Sequence, residues 1–165
     1  MDSCLKDSTE EGVQILLSNG GYLEPVNYKL YQDLKIAYLC YTSKYYIPCT
    51  NQEPLYLGHL ESELKQFVEP RATECFTTLK QKLEERDYLI ETQKMSFDVR
   101  LEPRKIKLLL EKDFKISKNL EVREYTDFST TFPSPLYELG SLAIEIASQE
   151  ARFCDFSYEG FMILH

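Results

Sequence analysis

A chain of 165 residues, 43% of them hydrophobic and 28% charged, can bury roughly 70% of its unfolded surface around one core. This composition excludes a disordered, collagen-like or coiled-coil protein. The formal net charge of -8 repels phosphate backbones, and no apolar run approaches the roughly 18 residues that span a bilayer. We therefore expect one soluble domain, residues 1–165, that binds no nucleic acid, metal or cofactor.

The first segment predicts a helix over residues 2–19. Asp2 and Ser3 are candidate caps at its start, and apolar or small residues recur at three- and four-residue steps behind them. Gly20 and Gly21 follow, and both can adopt positive φ angles that other residues avoid. We expect the helix to end there and the chain to reverse sharply.

A hairpin is predicted after this reversal. Residues 34–41 and 45–49 are short β-prone runs separated by polar residues. Pro48 would limit the second run to the edge of a sheet. Residues 22–33 carry no clear pattern, and we expect an irregular stretch there.

The longest helix is predicted next, because apolar residues from Leu60 to Leu83 recur at helical spacing. Pro70 lies inside this pattern. Proline lacks the backbone N–H and clashes with the preceding turn of a helix. We therefore expect either a kink or two abutting helices near Glu69.

The period of apolar residues then changes from 3.6 to 2. Residues 97–101 and 106–110 alternate apolar with mainly polar side chains around a turn at residues 102–104. The second strand is predicted to continue to Ile116, and residues 120–132 supply a third strand. An antiparallel meander with one apolar face needs a cover, and the preceding helix is the nearest candidate.

A third helix is predicted over residues 136–149, followed by an aromatic tail, residues 153–165, that either docks as a strand or is cut from a longer chain. The predicted fold is α+β: an antiparallel meander sheet with one face covered by helices, plus an N-terminal helix and a hairpin. Residues 1–58 hold the helix and hairpin, and residues 59–152 hold the remaining elements.

The chain contains five cysteines and no Cys-x-x-Cys pair, which disfavours a zinc site or a redox motif. Cys40 and Cys49 would lie on the two sides of the hairpin, and Cys4 and Cys75 on two helices that could pack together. Two disulfides would then leave Cys154 free. The alternative is five reduced thiols, as in a cytosolic protein, and the residues alone leave both open.

No catalytic residue is predicted. The only histidines are His59 and His165, and a dyad of His59 with Cys75 would need side chains sixteen positions apart to converge. Glu61 and Glu63 could be interpreted as an acid–base pair, but such neighbours on a helix point apart and usually face solvent. A small hydrolase with an unrecognised acid and histidine site remains the alternative.

Tyrosine is the unusual residue type, since eight of the 12 tyrosines fall within the first 56 residues. Tyrosine offers a large contact area with a polar tip, which favours binding to a protein or glycan surface. In the predicted hairpin Tyr38 and Tyr46 share one face, and Tyr41 and Tyr45 the other. These four are the candidate partner-binding residues, and packing onto the protein's own core is the alternative.

Several short motifs together resemble an uncharacterised family of archaeal surface proteins. The motifs are Cys4-Leu5, Gly20-Gly21-Tyr22-Leu23-x-Pro25, Ile36-Ala37-Tyr38-Leu39-Cys40-Tyr41-Thr42, Tyr46-x-Pro48-Cys49-x-Asn51-Gln52, Leu60-Glu61-x-Glu63-Leu64, Cys75-Phe76 and the helix from Leu136 to Ala143. Members of that family look like exported domains behind a pilin-like hydrophobic anchor. The resemblance covers most of the chain, and this sequence lacks the anchor.

The resemblance implies an extracellular or membrane-anchored location, with membrane contact only through the missing anchor. An oxidising location makes the pairs Cys40–Cys49 and Cys4–Cys75 the favoured connectivity. The predicted function is a non-enzymatic cell-surface or pilus-like interaction module that binds a protein or glycan surface, self-association included. A cytosolic adaptor is the further alternative, and five free thiols would support it.

Overall fold

The computed structural model describes residues 2–44, 46–92, 96–111, 114–118, 121–125, 128–157, 159–160 and 162. The elements in these ranges are α1 (Asp2–Ser18), β1 (Tyr28–Tyr31), β2 (Leu34–Ala37), β3 (Cys40–Tyr41), β4 (Thr50–Asn51), α2 (Tyr56–Glu84), β5 (Leu89–Thr92), β6 (Ser96–Glu102), β7 (Lys105–Glu111), β8 (Phe114–Lys118), β9 (Glu121–Tyr125), β10 (Phe128–Pro133) and α3 (Leu136–Phe153). All paired strands are antiparallel. The predicted α+β fold, with its N-terminal helix and bridged hairpin, is confirmed.

Helices α1 and α2 pack closely because α1 presents a glycine at their contact. A Cβ atom at Gly12 would lie 2.8 Å from both Leu64 Cδ1 and Phe67 Cδ1. The predicted chain reversal after α1 is confirmed, since Gly20 and Gly21 have φ angles of +69° and +91°. The two helices run antiparallel and share one core with the sheet.

Helix α2 is one continuous helix of 29 residues with Pro70 inside it, so the prediction of two abutting helices is wrong. One residue after the proline, Arg71 Nη1 donates to the carbonyl of Phe67 at 3.1 Å. The buried face of α2 repeats every four residues, which packs a single stripe onto the sheet. The stripe consists of Tyr56, Leu60, Leu64, Val68, Ala72 and Phe76.

The meander is confirmed as three chain segments paired in sequence order. They form two three-stranded sheets, β6–β7–β10 and β5–β8–β9, and the middle segment is the central strand in both. Residues 93–95, 112–113, 119–120 and 126–127 lie outside the described residues, so part of the predicted second and third strands is not covered.

The buried face of the first sheet follows the predicted alternation. Phe97, Val99 and Leu101 of β6 lie opposite Leu110, Leu108 and Ile106 of β7, and all six are buried. The turn between them contains Arg104 at φ +64° after a proline, as in a type II turn. Arg104 N–H also donates to Glu138 Oε1 at 2.8 Å, which attaches this turn to α3.

The disulfide-bridged hairpin consists of β3 and β4, so the strand bounds predicted for it, residues 34–41 and 45–49, are wrong. Strand β2 pairs instead with β1, so part of the stretch expected to be irregular is a strand. The two-residue turn between them, Gln32 and Asp33, has positive φ at both positions, as a type I′ turn requires. Cys40 lies opposite Asn51, and the described residues 46–49 belong to no strand.

Helix α3 confirms the third predicted helix and continues four residues beyond the expected end. In the tail, residues 159, 160 and 162 are helical, so the described part does not dock as a strand. Phe161, Ile163, Leu164 and His165 lie outside the described residues.

Candidate functional site

The candidate site is an open cleft of about 450 Å³ on the tyrosine-rich part of the chain. We call its lining the tyrosine cleft: Val26, Asn27, Tyr28, Tyr38, Tyr41 and Gln52. Tyr41 is 49% exposed and Val26 87% exposed, whereas Tyr38 is half-buried. The described lining residues carry no formal charge.

Two small ribbons position the tyrosine cleft. Tyr28 lies at the start of β1 opposite Ala37, and Tyr38 N–H donates to the carbonyl of Asn27 at 3.1 Å. Gln52 N–H donates to the carbonyl of Leu39 at 2.8 Å, which ties the end of β4 to the chain between β2 and β3. The cleft therefore forms where the β1–β2 and β3–β4 ribbons meet.

The aromatic rings of the cleft are arranged at an angle. The rings of Tyr38 and Tyr41 have centroids 5.4 Å apart and planes inclined by 47°. Lys35 Nζ lies 4.8 Å from the centroid of the Tyr28 ring, a cation–π contact that supports this ring. A bound molecule would meet ring faces set in different directions.

Polar atoms of the cleft are left without partners in the described part of the protein. Gln52 Nε2 donates to the carbonyl of Thr50 at 2.7 Å, which leaves Gln52 Oε1 as an acceptor. The hydroxyl groups of Tyr28, Tyr38 and Tyr41 and the side-chain amide of Asn27 make no hydrogen bond to described residues. A ligand could satisfy these donors and acceptors.

The predicted binding residues are only partly brought together. Tyr38 and Tyr41 line the same cleft, so their prediction on opposite faces is wrong: the strand is interrupted between them, and simple alternation fails. Tyr46 is 66% exposed, and Lys44 Nζ lies 6.0 Å from its ring centroid. Tyr45 lies outside the described residues.

Sequence reasoning missed Tyr28, Asn27, Val26 and Gln52. The signal that could have found Tyr28 is the similarity of the runs YKLY and LKIA, which flank a two-residue polar spacer. That spacing is typical of a hairpin, but its residues lack the usual glycine.

Both candidate disulfides are formed. Cys4 and Cys75 are linked across α1 and α2 with a Cα–Cα distance of 6.5 Å. Cys40 and Cys49 are linked at 5.4 Å and close the loop that carries Tyr41. Cys154 is free and exposed. The alternative of five reduced thiols is wrong, and the two links indicate an oxidising, extracellular-type environment.

His59 belongs to a polar cluster between α1 and α2 that positions the backbone. Its Nε2 lies 3.0 Å from the carbonyl of Gly21 and its Nδ1 lies 3.9 Å from Glu53 Oε2. Tyr22 donates to the same Glu53 oxygen at 3.2 Å, and its ring centroid lies 4.1 Å from that of His59. Cys75 is bonded to Cys4, so the dyad of His59 with Cys75 does not exist.

The phenols beside this cluster are held in their neutral form. Burial, followed by the charge of Glu53 and its hydrogen bond, raises the pKa of Tyr22 to about 12. Burial also raises the pKa of Tyr56 to about 12, and its hydroxyl donates to the carbonyl of Gly20 at 3.0 Å. These contacts attach the turn after α1 to the beginning of α2.

The sequence suggested that Glu61 and Glu63 face solvent. In the structure both carboxylates accept hydrogen bonds from backbone N–H groups. Glu63 Oε2 accepts the N–H of Leu23 at 2.7 Å, and Glu61 Oε1 accepts the N–H of Leu101 at 2.8 Å. Each carboxylate thus binds a backbone donor about forty residues away in the chain. Their role is to join α2 to a loop and to the sheet.

The chain matches no protein-family model, no curated protein and no solved structure. The resemblance to archaeal surface proteins therefore stays a prediction. Within the described ranges no group of three or more metal-binding side chains is found. None of the described helices has the length and apolar character needed to cross a bilayer.

Proposed function

We propose that this protein is a non-enzymatic recognition module of the cell exterior, surface-attached or pilus-like, that binds its partner through the tyrosine cleft. The observation that carries the proposal is the distribution of exposed apolar side chains. Nine of the sixteen large apolar side chains that are exposed in the described part of the chain lie between residues 26 and 55. An apolar concentration of this kind marks interaction surfaces.

Six of these nine residues do not line the cleft but belong to the same stretch of sequence: Leu30, Tyr31, Leu34, Tyr46, Ile47 and Leu55. Tyrosine-rich surfaces bind with little loss of side-chain entropy, because each large ring has only two rotatable bonds. The Cys40–Cys49 link restricts the loop that carries Tyr41 before any partner arrives. A restricted loop has less freedom to lose on binding, which favours affinity.

The experiment uses the oxidised, isotope-labelled full chain. Ligands are selected from a library of displayed 12-residue peptides and from a printed glycan array, and their binding is mapped by amide shifts in NMR spectra. We expect selected ligands to shift residues 26–52. Tyr41→Ser should weaken binding at least tenfold, whereas Leu89→Ser should leave it unchanged, since Leu89 is 73% exposed on another sheet.

Three results would contradict the proposal. They are the absence of a ligand from both collections, shifts that map away from residues 26–52, and equal losses in the two variants. A screen with ester, glycoside and peptide substrates tests the hydrolase alternative. Turnover that His59→Ala abolishes would replace recognition with catalysis as the function.

A further inference from the structure

We propose that the ligand of the tyrosine cleft is a neutral saccharide. This inference rests on the proposed function, because it names the chemical class that the same surface recognises. It is carried by the combination of three tyrosine rings, two side-chain amides and one valine around a small cavity. Each of these features matches one part of a sugar ring.

The faces of a pyranose ring carry C–H groups, and its edge carries hydroxyl groups that both donate and accept hydrogen bonds. Aromatic rings pack on the C–H faces, since the negative face of the ring attracts polarised C–H groups. The ring pair Tyr38–Tyr41 is inclined by 47°, so that one ring can support a sugar face while the other borders its edge.

The hydrogen-bonding groups of the cleft suit sugar hydroxyls. Asn27 offers amide donors and a carbonyl acceptor, while Gln52 retains its acceptor oxygen and one N–H, because the other N–H of its Nε2 is bonded to the carbonyl of Thr50. Phenolic hydroxyls, like sugar hydroxyls, can donate or accept. A small number of polar groups set among aromatic side chains is the usual composition of a small-ligand site.

The charge of the cleft favours a neutral ligand over an anionic one. None of its described lining residues is charged, although the chain as a whole has a formal charge of -8. Lys35, which does not line the cleft, makes a cation–π contact with the ring of Tyr28. An acidic sugar would find no charged partner among the lining residues.

The dimensions of the cleft favour a saccharide over a proline-rich peptide. Polyproline segments dock across grooves lined by aromatic ridges and extend about 3.1 Å per residue. The cleft of about 450 Å³ lies in the lower half of the range of roughly 300–1,000 Å³ that small-ligand pockets occupy. A short saccharide fits this space better than an extended chain that must run through it.

The experiment is an NMR titration of the oxidised full chain with cellotriose, maltotriose and the trimer of N-acetylglucosamine. Sialyllactose serves as an anionic sugar, and a proline-rich decapeptide represents the competing class. We expect at least one neutral trisaccharide to shift the amides of residues 26–52 with a Kd in the range of about 0.1–1 mM, whereas sialyllactose and the peptide bind at least tenfold more weakly.

Variants separate the cleft from the surrounding surface. Tyr41→Ala should weaken saccharide binding at least tenfold because it removes a ring, and Tyr41→Phe should weaken it about twofold to fivefold because it keeps the ring but loses the hydroxyl. Phe153→Ala is the matched aromatic control, since Phe153 is 66% exposed at the end of α3 and does not line the cleft. Its binding should equal that of the unaltered chain.

The possible failures are distinguishable. Binding of the peptide alone, mapped to residues 26–52, would overturn the saccharide and leave the proposed function standing. Binding of sialyllactose alone would overturn the neutral class. Equal losses for Phe153→Ala and Tyr41→Ala would remove the site from the cleft. Absence of binding by every saccharide at concentrations 10-fold above the expected Kd would end the inference.

Discussion

The two disulfides should contribute unequally to stability, because they close loops of very different length. Cys4 and Cys75 are 71 positions apart, and Cys40 and Cys49 are 9 positions apart. A crosslink stabilises the fold mainly by restricting the unfolded chain, and this restriction grows with the logarithm of loop length. The longer loop should contribute about 4.4 kcal/mol and the shorter about 2.7 kcal/mol to the free energy of unfolding.

The perturbation is a pair of double variants, Cys4→Ala with Cys75→Ala and Cys40→Ala with Cys49→Ala. None of the four bonded cysteines is fully buried. Replacing them with alanine therefore removes little buried apolar surface. The long-loop variant should be less stable than the short-loop variant by about 1.7 kcal/mol. Against a usual domain stability of about 5–15 kcal/mol, the long-loop loss is a large fraction of the total.

Urea unfolding followed by far-UV circular dichroism measures both losses. The urea dependence of the free energy should also increase in each variant, because an unfolded chain without the crosslink exposes more surface. Cys154→Ala is the control and should change stability by less than about 0.5 kcal/mol, since this cysteine is free and exposed. A short-loop loss equal to or larger than the long-loop loss would refute the loop-length reasoning.

Three further predictions concern the contacts around α2. Glu61→Ala should destabilise the fold by about 1–3 kcal/mol in urea unfolding, because Leu101 N–H loses its acceptor; Glu61→Gln keeps an acceptor oxygen, and an equal loss in both variants would contradict this role. Gly140→Ala should cost about 1–3 kcal/mol in the same assay, since its Cβ would lie 2.8 Å from a leucine of α2; an unchanged midpoint would show that α2 can adjust. In an absorbance titration at 295 nm, Tyr22 and Tyr56 should ionise near pH 12 instead of 10. Because the pKa of each of these tyrosines is higher in the folded than in the unfolded chain, their contribution to the free energy of unfolding is full below pH 10 and is lost as the pH rises toward 12. Ionisation of every tyrosine in one step near pH 10 would contradict this prediction.

The sheet could be predicted because its pattern is local. Apolar residues of β6 lie opposite apolar residues of β7, for example Val99 opposite Leu108. A register slip of one residue would turn the apolar side chains of a strand toward water. The period of 2 and the proline-containing turn therefore restricted both the pairing and its register before any tertiary contact was known.

The tyrosine cleft could be predicted only in part, because its ribbons depend on distant contacts. Strand β2 has a possible partner on either side along the chain, and it pairs with β1 through a turn at Gln32 and Asp33 that lacks the usual glycine. Hydrogen bonds from Ala37 N–H to Asn19 and from Tyr38 N–H to Asn27 support this choice. The register of β1 and β2, and with it half of the cleft lining, was not readable from local pattern.

The sequence by itself determined the three helices, the alternating strands, the reversal at the paired glycines and the candidate cysteine pairs. Tertiary structure decided that α2 passes through its proline unbroken, which strands form the ribbons, and that Glu61 and Glu63 bind backbone donors about forty residues away. The physical reason is range: helix and strand periods depend on neighbours two to four residues apart, whereas partner choice between distant segments depends on which complete set of buried contacts and satisfied hydrogen bonds is the most stable.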